Sequence, residues 1–186
     1  MGLDINIRVN NPNKLSENDD DFDFSCKPHL SRIFCSFMCR KYLDIDHETE
    51  FEQISAITGV DISAIYEMEF AVSDEDDDDM DFLEDLDEDE IKDYLEGVEK
   101  QKEKLNGNID KVLLTVNHLI EKLSVIQNLP DLLVPTQNDT LDNKVYFANF
   151  NSDDEGYNFG KDLRNFKQFL VFAKSKATTT VWFYFD

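Results

Sequence analysis

The chain has 186 residues, 41% hydrophobic and 12% aromatic, and its 41 acidic side chains outnumber 18 basic ones for a formal net charge of −23. That length suits one domain with a core of its own, and fifteen phenylalanines exclude a wholly disordered chain. A field of this sign also excludes direct binding of nucleic acid or of anionic membrane, because their phosphates attract cations.

In chain order, Leu3, Ile5, Ile7 and Val9 alternate with Asp4, Asn6, Arg8 and Asn10. This period of two predicts a half-buried strand, ended by Asn10-Asn11-Pro12-Asn13. Residues 1–8 show neither a basic nor an apolar leader region, and Asn6 stands where a myristoylation signal needs Ser or Thr. Three cysteines make an odd number for a disulfide framework, so the expected location is the cytoplasm. From 28 to 42 the apolar positions Leu30, Ile33, Phe34, Phe37, Met38 and Tyr42 recur at helical spacing, with Pro28 tolerated in the first turn. Asp46 can cap a second helix running to Thr58 and stopped by Gly59, and Asp61 a short third one to about Phe70.

Two constellations lie in this region. Cys26, His29, Cys35 and Cys39 carry zinc-binding atoms, but their spacing fits no standard knuckle; core packing is expected, with no metal and no cofactor. Residues 51–66 resemble a helix-turn-helix, with Ser55, Gly59 and Ile65 at its small, turn and packing positions. Asp61, Glu67 and Glu69 would face phosphate there, so a tight helical corner is expected rather than a reader of DNA.

Residues 74–90 carry thirteen acidic side chains in seventeen, and no basic one. The charge is unevenly placed: residues 1–90 hold 27 acidic and 6 basic side chains, residues 91–186 hold 14 and 12. Asp74 to Asp79 have nothing to bury and predict a solvated loop, whereas the later part suits the first turn of a helix. No alternating ligands, central glycine or terminal glutamate of a calcium loop are present.

Beyond the run, Ile91, Leu95, Val98, Lys102, Leu105, Ile109, Val112, Val116, Leu119, Leu123 and Ile126 keep a three-four rhythm. Such a repeat predicts a coiled-coil seam, within the chain or between two copies. Asn106-Gly107-Asn108 interrupts it without a change of phase, so one long helix kinked at Gly107 is preferred to a helical hairpin. Further on, residues 144–150 read as a strand, Lys161 to Lys174 as a helix and Thr178 to Phe185 as a strand, together a βαβ unit with parallel strands. The predicted class is α+β: a small mixed sheet of the N-terminal strand and this βαβ unit, with packed helices and the long helix or hairpin. The divisions are 1–73, 74–90, 91–129 and 136–186 within one compact domain.

Gly156 to Lys161 sits where phosphate loops occur but is one residue short, with Asp162 in place of the magnesium-binding hydroxyl; a glycine-punctuated turn is expected. Lys161, Arg164, Lys167 and Lys174 form a mildly basic stripe, read as a solvated helix face. The three histidines stand apart and no nucleophile motif appears, so no enzymatic activity is expected.

The opening Met-Gly-Leu-Asp-Ile resembles the start of a loose group of uncharacterised phage and bacterial proteins. In composition the chain is similar to phage acidic inhibitors of the anti-CRISPR or nucleic-acid-mimic type. That resemblance implies a non-enzymatic acidic protein that blocks a basic, nucleic-acid-binding surface of another protein. The residues expected to carry it are Asp76, Asp77, Asp78, Asp79, Asp81, Glu84, Asp85 and Asp87, with Phe82 and Leu83 as apolar anchors. The alternatives are an immunity protein or antitoxin against a basic toxin, and a structural or assembly protein that dimerises through residues 91–126 with the acidic run as solubiliser.

Overall fold

The computed structural model describes residues 5–15, 30–38, 48–69, 87–136, 143–153 and 156–185. Strand β1 (Ile5–Val9) forms where the alternation was legible, and it pairs antiparallel with β2 (Val181–Phe185). Val9 lies opposite Val181 and Ile7 opposite Phe183, so all four apolar side chains point to one buried face. The other face carries Arg8, Trp182 and Tyr184, with the Arg8 guanidinium 4.9 Å from the centre of the Tyr184 ring.

Several backbone groups on the outer edge of β2 and at the strand ends pair with groups from elsewhere in the chain. The Asn108 amide donates to the Val181 carbonyl at 2.8 Å and accepts from its N–H at 2.9 Å, as a neighbouring strand would. Phe183 N–H donates to the Met68 carbonyl. The Asn10 side-chain oxygen Oδ1 accepts from the N–H groups of Thr179 and Thr180, tying the two distant chain segments together. On β2, groups paired in this way offer no template to another strand.

The helices described are α1 (Arg32–Met38), α2 (Glu50–Thr58), α3 (Ser63–Tyr66), α4 (Glu88–Leu105), α5 (Ile109–Leu123), α6 (Leu129–Leu132), α7 (Asn143–Tyr146) and α8 (Phe159–Ser175). With the two strands they make an α+β fold. Helix α2 starts in a capping box, in which Thr49 accepts from Glu52 N–H and Glu52 accepts from Thr49 N–H, and it stops at Gly59 with φ of 69°. Asp46, the expected cap, lies outside the described residues. Helix α8 packs against α5, with the inward arc of Phe159, Leu163, Phe166, Phe169, Leu170 and Ala173 buried. The shorter α2 and α3 cover another side of α5. Phe37 of α1 is edge-on to Phe51, Phe147 and Phe159, with ring centres 5.2–5.4 Å apart, at the centre of an aromatic cluster. Buried residues from Ile7 to Phe183 join in one core.

Two expectations are corrected. Residues 144–150 are not a strand: α7 ends at Tyr146, and a turn follows with Asn149 at φ of 50°. The buried positions there are Tyr146, Phe147 and Phe150, a helical spacing, while Val145 is 64% exposed. A strand would have needed alternation, so there is no βαβ unit, and the paired strands run antiparallel. The second correction is the long helix, which is two. Asn106 is extended at ψ of 123° and Gly107 takes φ of 73°, a left-handed conformation open to glycine at little cost. The turn is held from outside, by Asn108 on Val181 and by Gly107 N–H on Thr180 Oγ1 at 3.1 Å. It is not a packed coiled-coil hairpin either, because α5 packs chiefly on α8, α3 and α2.

Gly160 lies in the first turn of α8, where a Cβ would sit 1.9 Å from the Phe150 carbonyl oxygen. That oxygen also accepts from Arg164 Nη1 at 2.7 Å. Gly160→Ala therefore has to push a backbone segment off the helix, and we expect a loss of about 1–3 kcal/mol in urea unfolding although alanine is the better helix former.

Candidate docking surface on the acidic helix

The last part of the acidic run begins α4. Asp87 is its N-cap and accepts from the N–H groups of Asp89 and Glu90 at 3.0 and 2.9 Å, while Glu90 accepts from Asp87 N–H at 3.1 Å. The macrodipole adds to this stabilisation, since its positive end meets the carboxylates of the first turn. Asp87 thus has a structural duty and is still exposed. Asp76, Asp77, Asp78, Asp79, Asp81, Phe82, Leu83, Glu84 and Asp85 lie outside the described residues, so of the expected docking residues Asp87 alone has a described environment.

The apolar rhythm that continues from the run divides at the turn. Ile109, Val112, Val116, Leu119 and Leu123 are all buried in the main core, so the α5 half of the seam serves the chain's own fold. On α4, Val98 and Leu105 are buried in a small cluster with Tyr94 and the outer-face Trp182. Ile91 is partly buried and Leu95 is 50% exposed. Both line an open groove along the helix, flanked by Lys92, Glu96, Glu99 and Lys100. Apolar side chains inside a rim of charge are the composition of a protein-docking surface.

Comparison with family models, curated proteins and solved structures gives no match. What the surface can do follows from its own chemistry.

The other constellations are described only in part. Cys35 is buried, and Cys26, His29 and Cys39 lie outside the described residues; among those described, no group of three metal-ligating side chains assembles. The helix-turn-helix resemblance extends to the corner: Gly59 turns the chain, Ser55 Oγ donates to the Val60 carbonyl at 2.6 Å and Ile65 is buried. Its second helix, α3, is a single turn, and Glu67 beyond it meets Lys111 of α5 at 3.6 Å. In the glycine turn, Lys161 N–H donates to the Asn158 cap and Lys161 Nζ to the Gly156 carbonyl. Of the basic stripe, Arg164 donates to the carbonyls of Phe150 and Ser152 and to Asp153, and Lys174 pairs with Asp110. Arg164 thus ties the turn before α8 to the helix, while Lys174 stays half exposed in its pair. Among the described residues no helix is long and apolar enough to cross a membrane.

Two carboxylates that the sequence did not mark as core residues are buried. Asp162 accepts from Ser31 N–H at 2.9 Å, from Ser31 Oγ at 2.6 Å and from the Tyr146 hydroxyl at 2.8 Å, while Ser31 Oγ accepts from Phe34 N–H. Burial pushes the Asp162 carboxyl above its ordinary value, against the pull of the hydrogen bonds from Ser31 and Tyr146. Burial, and then the neighbouring Asp162 charge, raise the Tyr146 hydroxyl well above its own. Glu50, fully buried, accepts from the N–H and the hydroxyl of Thr136. A signal existed for Asp162, which occupies the inward arc of α8 between Phe159 and Leu163.

Proposed function

We propose that the protein is a non-enzymatic acidic ligand that covers a basic, nucleic-acid-binding surface of another protein, in the manner of a phage or mobile-element inhibitor. The observation that carries this reading is the placing of charge: thirteen carboxylates within residues 74–90 run in sequence into a capped helix that exposes Leu95 about two turns after its cap. A carboxylate row stands in for backbone phosphates and speeds encounter with a basic surface, and apolar contacts beside it hold the complex once formed. An immunity protein against a basic toxin would use the same chemistry. A cytoplasmic location belongs to this reading, since nucleic-acid enzymes work there.

The direct test is competition. Proteins captured on the immobilised chain from the natural host should be basic, and duplex DNA should displace them. Captured proteins that hold DNA and this chain together would contradict the reading.

A further inference from the structure

We propose that Asn106 is a site of self-modification: the Gly107 nitrogen attacks its side-chain carboxamide and deamidates it, at a rate set by opening of the turn between α4 and α5. Asn-Gly occurs once in the chain, and both residues are exposed. Glycine leaves the approach to its nitrogen unhindered, and even a Cβ at Gly107 would meet nothing within 4 Å. In the step itself the Gly107 nitrogen gives up its proton and bonds to Asn106 Cγ. The bond from Cγ to the amide nitrogen breaks, ammonia leaves with that proton, and a cyclic imide remains. Water then opens the imide at either carbonyl. Attack at Cγ gives aspartate; attack at the main-chain carbon gives isoaspartate, in which the backbone runs through Cβ and Cγ. Amide and water become carboxylate and ammonium, with nothing oxidised or reduced.

The native turn holds the reacting atoms apart. Ring closure needs the Gly107 nitrogen on the side of Asn106 Cβ, whereas ψ of 123° at Asn106 turns it away. Rotation about that bond works against the contacts that fix the turn. Gly107 N–H donates to Thr180 Oγ1 at 3.1 Å, and the Asn108 side chain is held on both backbone groups of Val181. Swinging the nitrogen towards Cγ takes its N–H off Thr180, so the locally opened turn is the reactive state. Conversion then accumulates in proportion to the population of that state. Either product places a carboxylate at the C-terminal end of α4, where the macrodipole opposes it. Isoaspartate also lengthens the main chain between Gly107 and Leu105, which is buried beside Trp182, and so shifts Gly107 from its place on Thr180.

Peptide mapping of the full chain by mass spectrometry, over weeks in mildly alkaline buffer, tests this. It reads the exchange of amide for carboxylate, and fragmentation distinguishes residue 106 from the nearby Asn108. The chain unfolded in guanidinium chloride should convert fastest at residue 106, and the folded chain much more slowly. Thr180→Val removes the acceptor hydroxyl with little change of shape and should raise the folded rate about two- to tenfold, the worth of one hydrogen bond. Tyr146→Phe, which weakens the fold away from the turn, should leave the folded rate unchanged. A folded chain that converts as fast as the unfolded one, an unfolded chain that does not convert at residue 106, or a Thr180→Val chain no faster than wild type overturns the proposal. Equal acceleration by Tyr146→Phe would assign the reaction to global unfolding and overturn control by the turn.

Discussion

Asp162→Ala should cost about 3 kcal/mol of unfolding free energy, since it strands two buried hydroxyls and one backbone N–H that now converge on one carboxylate. These groups join three separated parts of the chain: Ser31 at the start of α1, Tyr146 at the end of α7 and the first turn of α8. Tyr146→Phe, which removes one donor and leaves the other two, should cost only about 1–1.5 kcal/mol. Urea unfolding of both variants and of the double variant measures the coupling. Strictly additive losses would mean that Tyr146 and Asp162 do not act together.

The same carboxyl gives a pH signature of unusual sign. Its folded pKa is raised by burial, so the native state keeps the proton over a range in which the unfolded chain has released it. The stability contributed by this protonation is fully present below the ordinary carboxylate range and is lost as pH rises through the raised native value. The usual salt-bridged aspartate behaves in the opposite way. Asp162→Asn, which carries no titrating proton, should lose less stability than wild type across that window. The difference between the two curves isolates Asp162 from the chain's many other carboxylates.

The second large effect concerns binding. Replacing Asp76, Asp77, Asp78, Asp79 and Asp81 by Asn and Ser removes five charges from the run and none from α4. At roughly 0.5–1 kcal/mol for each charge, the five together amount to about 2.5–5 kcal/mol, so affinity for a captured basic partner should fall about 70- to 5,000-fold. Titration calorimetry measures it. An unchanged affinity would assign the run to solubility alone and would favour the assembly reading.

How much of this was legible depended on whether period and composition agreed. In α8 and the two strands they did. The inward arc from Leu163 to Ala173 and the alternation in 5–9 each followed one period, and the structure keeps both, adding Phe159 at the start of α8. In residues 144–150 they disagreed: valine and aromatics favour a strand, but the side chains that reach the core are Tyr146, Phe147 and Phe150. Tertiary burial overrode local preference. The α4–α5 break was hidden because Leu105 and Ile109, four residues apart, are both buried across the turn, so the rhythm passes through it unchanged. Asn106-Gly107 was the local sign, and the residues that hold the turn, Thr180 and Val181 at the start of β2, are more than seventy positions away. Glu50 shows the same limit, since its partner Thr136 is 86 residues on. The acidic run was plain from composition, and so was its passage into a helix, which Asp87 and Glu90 now explain as a capping box. That half of the apolar seam would be spent in the core needed the packing of α5 against α8.

The central claim is that the acidic field drives recognition. Its most direct test is the affinity of the intact chain for its captured basic partner, measured from low to high salt. Screening shortens the reach of charge to about 8 Å at physiological ionic strength. The account predicts that affinity falls steadily as salt rises, mostly through a slower association rate. An affinity that stays flat over the whole range would contradict it.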